Sequence, residues 1–159
     1  MTKEVLKVEK KINAEPARLF RAWLKPDELS RWFLCCNTMG VGIGSVSMDP
    51  RPGGKFRIDM TLDGKVLPHT GEYKIIEEPT KLVFTWRSHM TGDQDTLVTV
   101  TFTALPEVTI ESEGKTVRKP QTLVTLTHEL LLTKEQIEAH HRGWTNIIDG
   151  LEYWHVGKE

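Results

Sequence analysis

The chain has 159 residues, 21 Lys+Arg against 22 Asp+Glu for a formal net charge of −1, 38% hydrophobic residues and two cysteines. That length suits a single domain, residues 1–159, which buries roughly 70% of its unfolded surface in one core and needs no covalent staple. The balanced charge offers no basic field to nucleic acid or an anionic membrane, no apolar run is long enough to span a bilayer, and the charged opening MTKEVLKVEKKI is unlike a signal peptide, so the cytoplasm is the expected compartment.

Within residues 3–12 a period of two sets Leu6, Val8 and Ile12 against Lys7, Glu9 and Lys11, which predicts a strand with one inward face. Asn13 is the expected cap of a helix from about Ala14, with Pro16 in its first turn, Leu19, Phe20, Trp23 and Leu24 on its apolar side, and Pro26 ending it. Residues 27–33 predict a second short helix that closes Leu29, Trp32 and Phe33 over the first. Residues 34–47, with Gly40, Gly42 and Gly44 and no helical period, read as a mobile loop with or without a short strand. The adjacent Cys35 and Cys36 do not have the spacing of a zinc pair. They read as reduced thiols, with a vicinal dithiol for soft metals or electrophiles as the alternative.

The pattern then becomes strand after strand. Phe56, Ile58 and Met60 alternate with Lys55, Arg57 and Asp59, and Asp63-Gly64 is a two-residue hairpin turn into a strand that resumes near Val66. Gly71, Tyr73 and Ile75 are expected on one face of a further strand, a turn follows over residues 78–81, and Leu82, Phe84 and Trp86 share the next inward face. Val98, Val100 and Phe102, then Val124, Leu126 and His128, continue the alternation, while residues 106–121 between them read as a protruding hairpin or a floppy insertion. Arg51, Lys55 and Arg57 form a small basic cluster, read as a solvated edge or as an entrance for an acidic ligand.

Thr133 and Gln136 have the spacing of a capping box opening a long final helix. At about 100° per residue, Ile137, Trp144, Ile147, Ile148, Leu151 and Trp154 share one arc, His140 joins it, and Glu138, Arg142, Asn146, Asp149 and Tyr153 lie opposite. Reaching about Trp154, this helix spans roughly 30 Å, enough to cover one face of a small sheet. Gly143 and Gly150 on its flank suggest close approach to another backbone. The expected architecture is α+β: a curved antiparallel sheet of about six or seven strands wrapped around the carboxy-terminal helix.

The run Pro26, Leu29, Arg31-Trp32-Phe33, then Arg51-Pro52-Gly53-Gly54-Lys55-Phe56, Gly71-Glu72-Tyr73, Pro79, Leu82-Val83-Phe84-Thr85-Trp86, residues 122–129 (TLVTLTHE), His140, Gly143-Trp144 and Leu151 resembles the AHSA-type family, similar to the carboxy-terminal domain of the activator of heat-shock protein 90 ATPase. That family sits in the START-like, helix-grip superfamily, also called SRPBCC. The resemblance implies a cavity between the long helix and the sheet, of the kind that holds lipids, sterols, polyketides or plant hormones elsewhere in the superfamily. By position it implies a lining of Phe56, Ile58, Met60, Tyr73, Phe84, Trp86, Val100, Phe102, Leu126, His128, His140, Trp144, Ile147, Ile148 and Leu151.

No nucleophile elbow, phosphate loop, zinc-protease motif or dinucleotide fingerprint occurs. No cofactor is expected. His128 is the candidate proton carrier, read either as a satisfied core histidine or as the acid–base group of a polyketide cyclase or dehydratase, with Tyr73 or His140 orienting the substrate. His140 and His141 diverge by about 100° and are poorly set to share a metal ion. Three functions follow: a binding protein for a small hydrophobic or aromatic molecule, such a cyclase-like enzyme, or a co-chaperone for a heat-shock protein 90 type ATPase. The last is ranked low because the eukaryotic activators add a separate amino-terminal domain. Monomer and homodimer both remain open, since exposed edge strands can pair.

Overall fold

Alternating strands and one long amphipathic helix assemble as that pattern requires. In the computed structural model, which describes residues 5–156, the elements are β1 (Leu6–Ile12), α1 (Pro16–Ala22), α2 (Pro26–Trp32), β2 (Gly42–Met48), β3 (Lys55–Leu62), β4 (Lys65–Glu77), β5 (Lys81–Trp86), β6 (Thr96–Ser112), β7 (Lys115–Glu129) and α3 (Lys134–Val156). The seven strands form one antiparallel sheet in the order β1-β7-β6-β5-β4-β3-β2, curled around α3. Residues 3 and 4 of the predicted first strand lie outside the described residues.

Local chemistry moves several boundaries. Asn13 does not cap α1: Glu15 holds that position without a side-chain bond, Pro16 pre-sets the first turn, and Asn13 Oδ1 accepts from Gln121 Nε2 at 3.1 Å. Pro26 opens α2 instead of ending α1, because a fixed φ suits a first helical turn and holds the preceding Lys25 extended. Trp32 Nε1 donates to the Ala22 carbonyl at 3.0 Å and locks the two short helices together.

The predicted loop at 34–47 contains a full edge strand, β2, paired with β3. Residues 65–77 form one strand instead of two, with an irregularity between Tyr73 and Ile75 that pairs Ile76 with Leu82. Ile76, not Ile75, therefore packs against the core. Residues 106–121 are the far end of the β6–β7 hairpin, which shifts register between Leu105 and Val108 and is closed by Glu113-Gly114 with φ of 53° and 76° at the two turn residues. Asp63-Gly64 makes the same kind of turn between β3 and β4.

Thr133 Oγ1 accepts from the Gln136 N–H at 3.1 Å, and the Gln136 side chain accepts from Leu132 N–H at 2.8 Å, one residue before a reciprocal capping box would place it. Trp144, Ile147, Ile148 and Leu151 are buried against the sheet and Ile137 is half-buried, but Trp154 is 44% exposed. It falls at the border of the arc; one residue on, His155 turns inward, with Nδ1 2.8 Å from the Leu151 carbonyl and Nε2 2.9 Å from the Glu28 carboxylate on α2. The two glycines divide. A Cβ at Gly150 would overlap the Trp32 carbonyl oxygen, the close approach expected; at Gly143 a Cβ would meet nothing within 4 Å.

Candidate ligand cavity

Beneath the middle of α3 the sheet and helix bury their facing side chains. Val100, Val124, Leu126, Ile148, Leu151 and Phe102 are at most 2% exposed, and Phe20 meets Phe102 edge-on with centroids 5.6 Å apart. His128, fully buried on β7, belongs to this packed region. Trp144 Nε1–H, which can only donate, points to His128 Nδ1 at 2.9 Å; His128 Nε2 must then carry the proton and donate to Thr96 Oγ1 at 2.6 Å, and Thr96 donates to the Trp86 carbonyl at 2.6 Å. Both ring nitrogens are occupied by the protein itself. Burial, with a smaller contribution from His140, pushes the His128 pKa down to about 3, so the ring is neutral.

Space opens on the flank of α3. A cavity of about 290 Å³ lies between Ala139, His140, Gly143, Trp144, Asn146 and Ile147 of the helix, Met60 and Leu62 of β3, Leu67 and His69 of β4, Trp86 at the end of β5, and two segments at the mouth. The first of these segments brings Leu34, Asn37, Met39 and Val41. Asn37 pins it: its amide donates to the Leu34 and Val41 carbonyls at 3.1 and 2.7 Å, and its Oδ1 accepts from Met39 and Val41 N–H. The second is the short turn His89–Thr91, fixed by buried Ser88, whose hydroxyl accepts from Met90 N–H, and by buried Thr91, whose hydroxyl accepts from Ser88 N–H and donates back to carbonyls. It sets His89 and Met90 at the rim, and Met39 and Met90, 56% and 40% exposed, leave flexible apolar side chains at the entrance.

The lining contains no lysine, arginine, aspartate or glutamate. Its polar groups are imidazoles and amides. His140 Nδ1 lies 2.7 Å from the Gln136 carbonyl and His69 Nδ1 2.9 Å from the Leu67 carbonyl; carbonyls only accept, so in His140 Nδ1 carries the proton and Nε2 bears the lone pair. Burial lowers the pKa of both, that of His69 to about 4. His140 Nε2 has no hydrogen-bond partner among the described residues and is not sealed from solvent, whereas the His69 ring also meets the Ile58 carbonyl of β3. Trp86 and Trp144, with centroids 4.9 Å apart and planes at 54°, form the aromatic wall.

Of the residues expected at the cavity, Met60, Trp86, His140, Trp144 and Ile147 line it. Phe56, Ile58, Tyr73 and Phe84 instead border, with Trp23 and Trp86, a separate void of about 20 Å³, room for about one water. There the Tyr73 hydroxyl points at Met48 Sδ, 3.6 Å away, and burial raises its pKa. Val100, Phe102, Leu126, His128, Ile148 and Leu151 are packing residues that border neither space. His69 and Leu67 were within reach of sequence reasoning: the alternation through Tyr73 and Gly71, carried two and four residues back, points both inward. Asn146, assigned to the wet face, faces the cavity because the opening lies on the flank of the helix.

The remaining candidates resolve plainly. Arg51 and Arg57 pair with Asp49 and Asp59 at 2.7 Å and stand outside the cavity as a solvated edge. Cys35 Sγ donates to the Gly150 carbonyl at 3.6 Å, and burial together with Cys36 pushes its pKa up to about 11, which keeps it a thiol. Among the described residues no group of three or more His, Cys, Asp or Glu is placed to hold a metal ion, and no helix is long and apolar enough to cross a membrane.

A seven-stranded antiparallel sheet curled around a carboxy-terminal helix, with two short helices after the first strand, is the helix-grip fold. Solved structures share it. Protein CV1439 from Chromobacterium violaceum superposes with a TM-score of 0.74 at 19% identity, covering 98% of this chain and 99% of that one. CalU16 from Micromonospora echinospora gives 0.65 at 20% identity over 98% and 76%, and PFC0360w, an HSP90 activator from Plasmodium falciparum, gives 0.66 at 21% identity over 94% of each chain. No curated protein matches. The family described as "Activator of Hsp90 ATPase homolog 1-like protein" matches residues 13–154, and the chain belongs to that family.

Proposed function

We propose that this protein binds a small hydrophobic or aromatic molecule in the cavity on the flank of α3. One observation carries the reading: about 290 Å³ of space, walled by Trp86 and Trp144 and lined without lysine, arginine, aspartate or glutamate. Such a pocket sits at the small end of those that hold organic ligands, which run from roughly 300 Å³ upward. At interior packing density it takes on the order of fifteen non-hydrogen atoms. Sterols and long acyl chains exceed that, whereas one- and two-ring molecules fit. A cyclase-like role through His128 finds no support, since both of its nitrogens are spoken for by Trp144 and Thr96.

Thermal unfolding against a panel of small aromatics, flavonoids, fatty acids and sterols tests this. A ligand at about one hundred times its dissociation constant adds about 2.7 kcal/mol, a shift of several degrees for a domain of this size. A shift confined to small aromatics supports the reading, and no shift from any class overturns it. The family name and the likeness to an HSP90 activator support a second reading, a co-chaperone. Stimulation of a purified heat-shock protein 90 type ATPase by this chain alone would establish it, and no stimulation at saturating protein would end it.

A further inference from the structure

We infer that the cavity selects a neutral aromatic alcohol, a phenol-class molecule of one or two rings, whose hydroxyl donates to the open Nε2 of His140. This rests on the reading of the cavity as a ligand site.

The hydrogen-bond pattern carries the argument. His140 spends its only proton on the Gln136 carbonyl and presents a bare lone pair on Nε2 to the cavity, while His69, on the facing strand, is turned to backbone carbonyls. An imidazole acceptor in a largely apolar recess favours a ligand that brings a donor, because a ligand that dries it without bonding it leaves a buried acceptor unpaired. No lysine or arginine faces the space, so a carboxylate or phosphate would lose much of its hydration without a fixed counter-charge in return. The Trp86–Trp144 wall offers flat π surface, the partner of an aromatic ring. The low proton affinity that burial imposes on His140 keeps it an acceptor at neutral pH.

The test uses the intact protein and four ligands of one shape: naphthalene, naphthol, the methyl ether of naphthol and naphthoate, with affinities read from tryptophan quenching or calorimetry. Naphthol is expected to bind roughly tenfold more tightly than its methyl ether and than naphthalene, with naphthoate weakest. The variant His140→Phe, checked for folding by its melting temperature, is expected to keep naphthalene and lose the preference for naphthol. His140→Gln, which retains an acceptor, is expected to keep part of that preference. If naphthol and its ether bind equally, or naphthoate binds best, the inference is overturned and the aromatic pocket stands. If naphthalene and naphthol both fail to bind, the ligand-site reading falls and the inference falls with it.

Discussion

His128 on β7 and His140 on α3 stand with ring centroids 4.9 Å apart, nearly perpendicular, and differ in what their second nitrogen meets. His128 lies between Trp144 and Thr96 in a chain that ends on the Trp86 carbonyl, with every donor matched to an acceptor. His140 is bonded on one side and opens to the cavity on the other. Two chemically identical side chains, both neutral, thus serve as a packed tie in one place and as an unpaired acceptor a few ångströms away. What separates them is what each faces: His128 lies where the sheet closes over α3, and His140 where the sheet falls short of the helix's flank.

Replacing both histidines by leucine should expose the contrast most strongly. His128→Leu leaves the Trp144 indole N–H buried without an acceptor, and a loss of about 3 kcal/mol is expected in denaturant unfolding. His140→Leu forfeits only a bond to a carbonyl that already belongs to the helix ladder, and should cost less than about 1 kcal/mol. Equal losses would mean that the two sites are packed alike.

The glycines of α3 draw the same line. Gly150→Ala drives a methyl group into the Trp32 carbonyl and against Cys35 Sγ, and the backbone of α2 must move. Overpacking of this kind costs about 1–3 kcal/mol, partly offset by about 1 kcal/mol of helix propensity. A melting temperature lowered by a few degrees is expected, and an unchanged one would show that α2 yields freely.

Acid should act on both histidine sites at once. His128 and His69 have folded pKa values pushed down to about 3 and about 4, against about 6.5 in the unfolded chain, and His140 is lowered too. A lowered folded pKa means that the unfolded chain binds more protons between those limits, so stability holds above about pH 6.5 and falls as pH drops toward 4. His128 and His69 together should remove roughly 2 kcal/mol between pH 6 and 5. His128→Gln, whose amide can accept from Trp144 and donate to Thr96, should roughly halve that slope, and an unaltered slope would place the titration elsewhere.

Where a face is buried along its whole length, the sequence made the structure legible: Phe56, Ile58 and Met60 on β3, Val98, Val100 and Phe102 on β6, Trp144, Ile147, Ile148 and Leu151 on α3. Strict period is the record of a continuous contact. The cavity left a weaker record because it lies where contact ends. Leu34, Asn37, Met39 and Val41 reach it from a segment without period, His89 and Met90 from a short turn fixed by Ser88 and Thr91, and Asn146 from a face of α3 that reads as wet. Of the lining residues left unassigned, Leu62 continues the period of Phe56, Ile58 and Met60, and His69 and Leu67 carried a signal that stopped at Gly71 because the strand before it was read as separate.

Gly143→Ala carries the comparison to its smallest and most telling effect. Inside a helix, alanine is favoured over glycine by about 1 kcal/mol, and at Gly143 the added methyl meets nothing within 4 Å, so no clash offsets the gain. The variant should melt roughly 2–4 °C higher than the parent. Its methyl would also stand on the flank that lines the cavity, and should narrow the room beside Trp144 and weaken binding of any two-ring ligand. A more stable protein that binds less well would mean that this glycine keeps space open at the expense of the helix that carries it. A destabilised variant would instead mean that the flank of α3 is as closely packed as its centre, and the distinction between His128 and His140 would lose its physical basis.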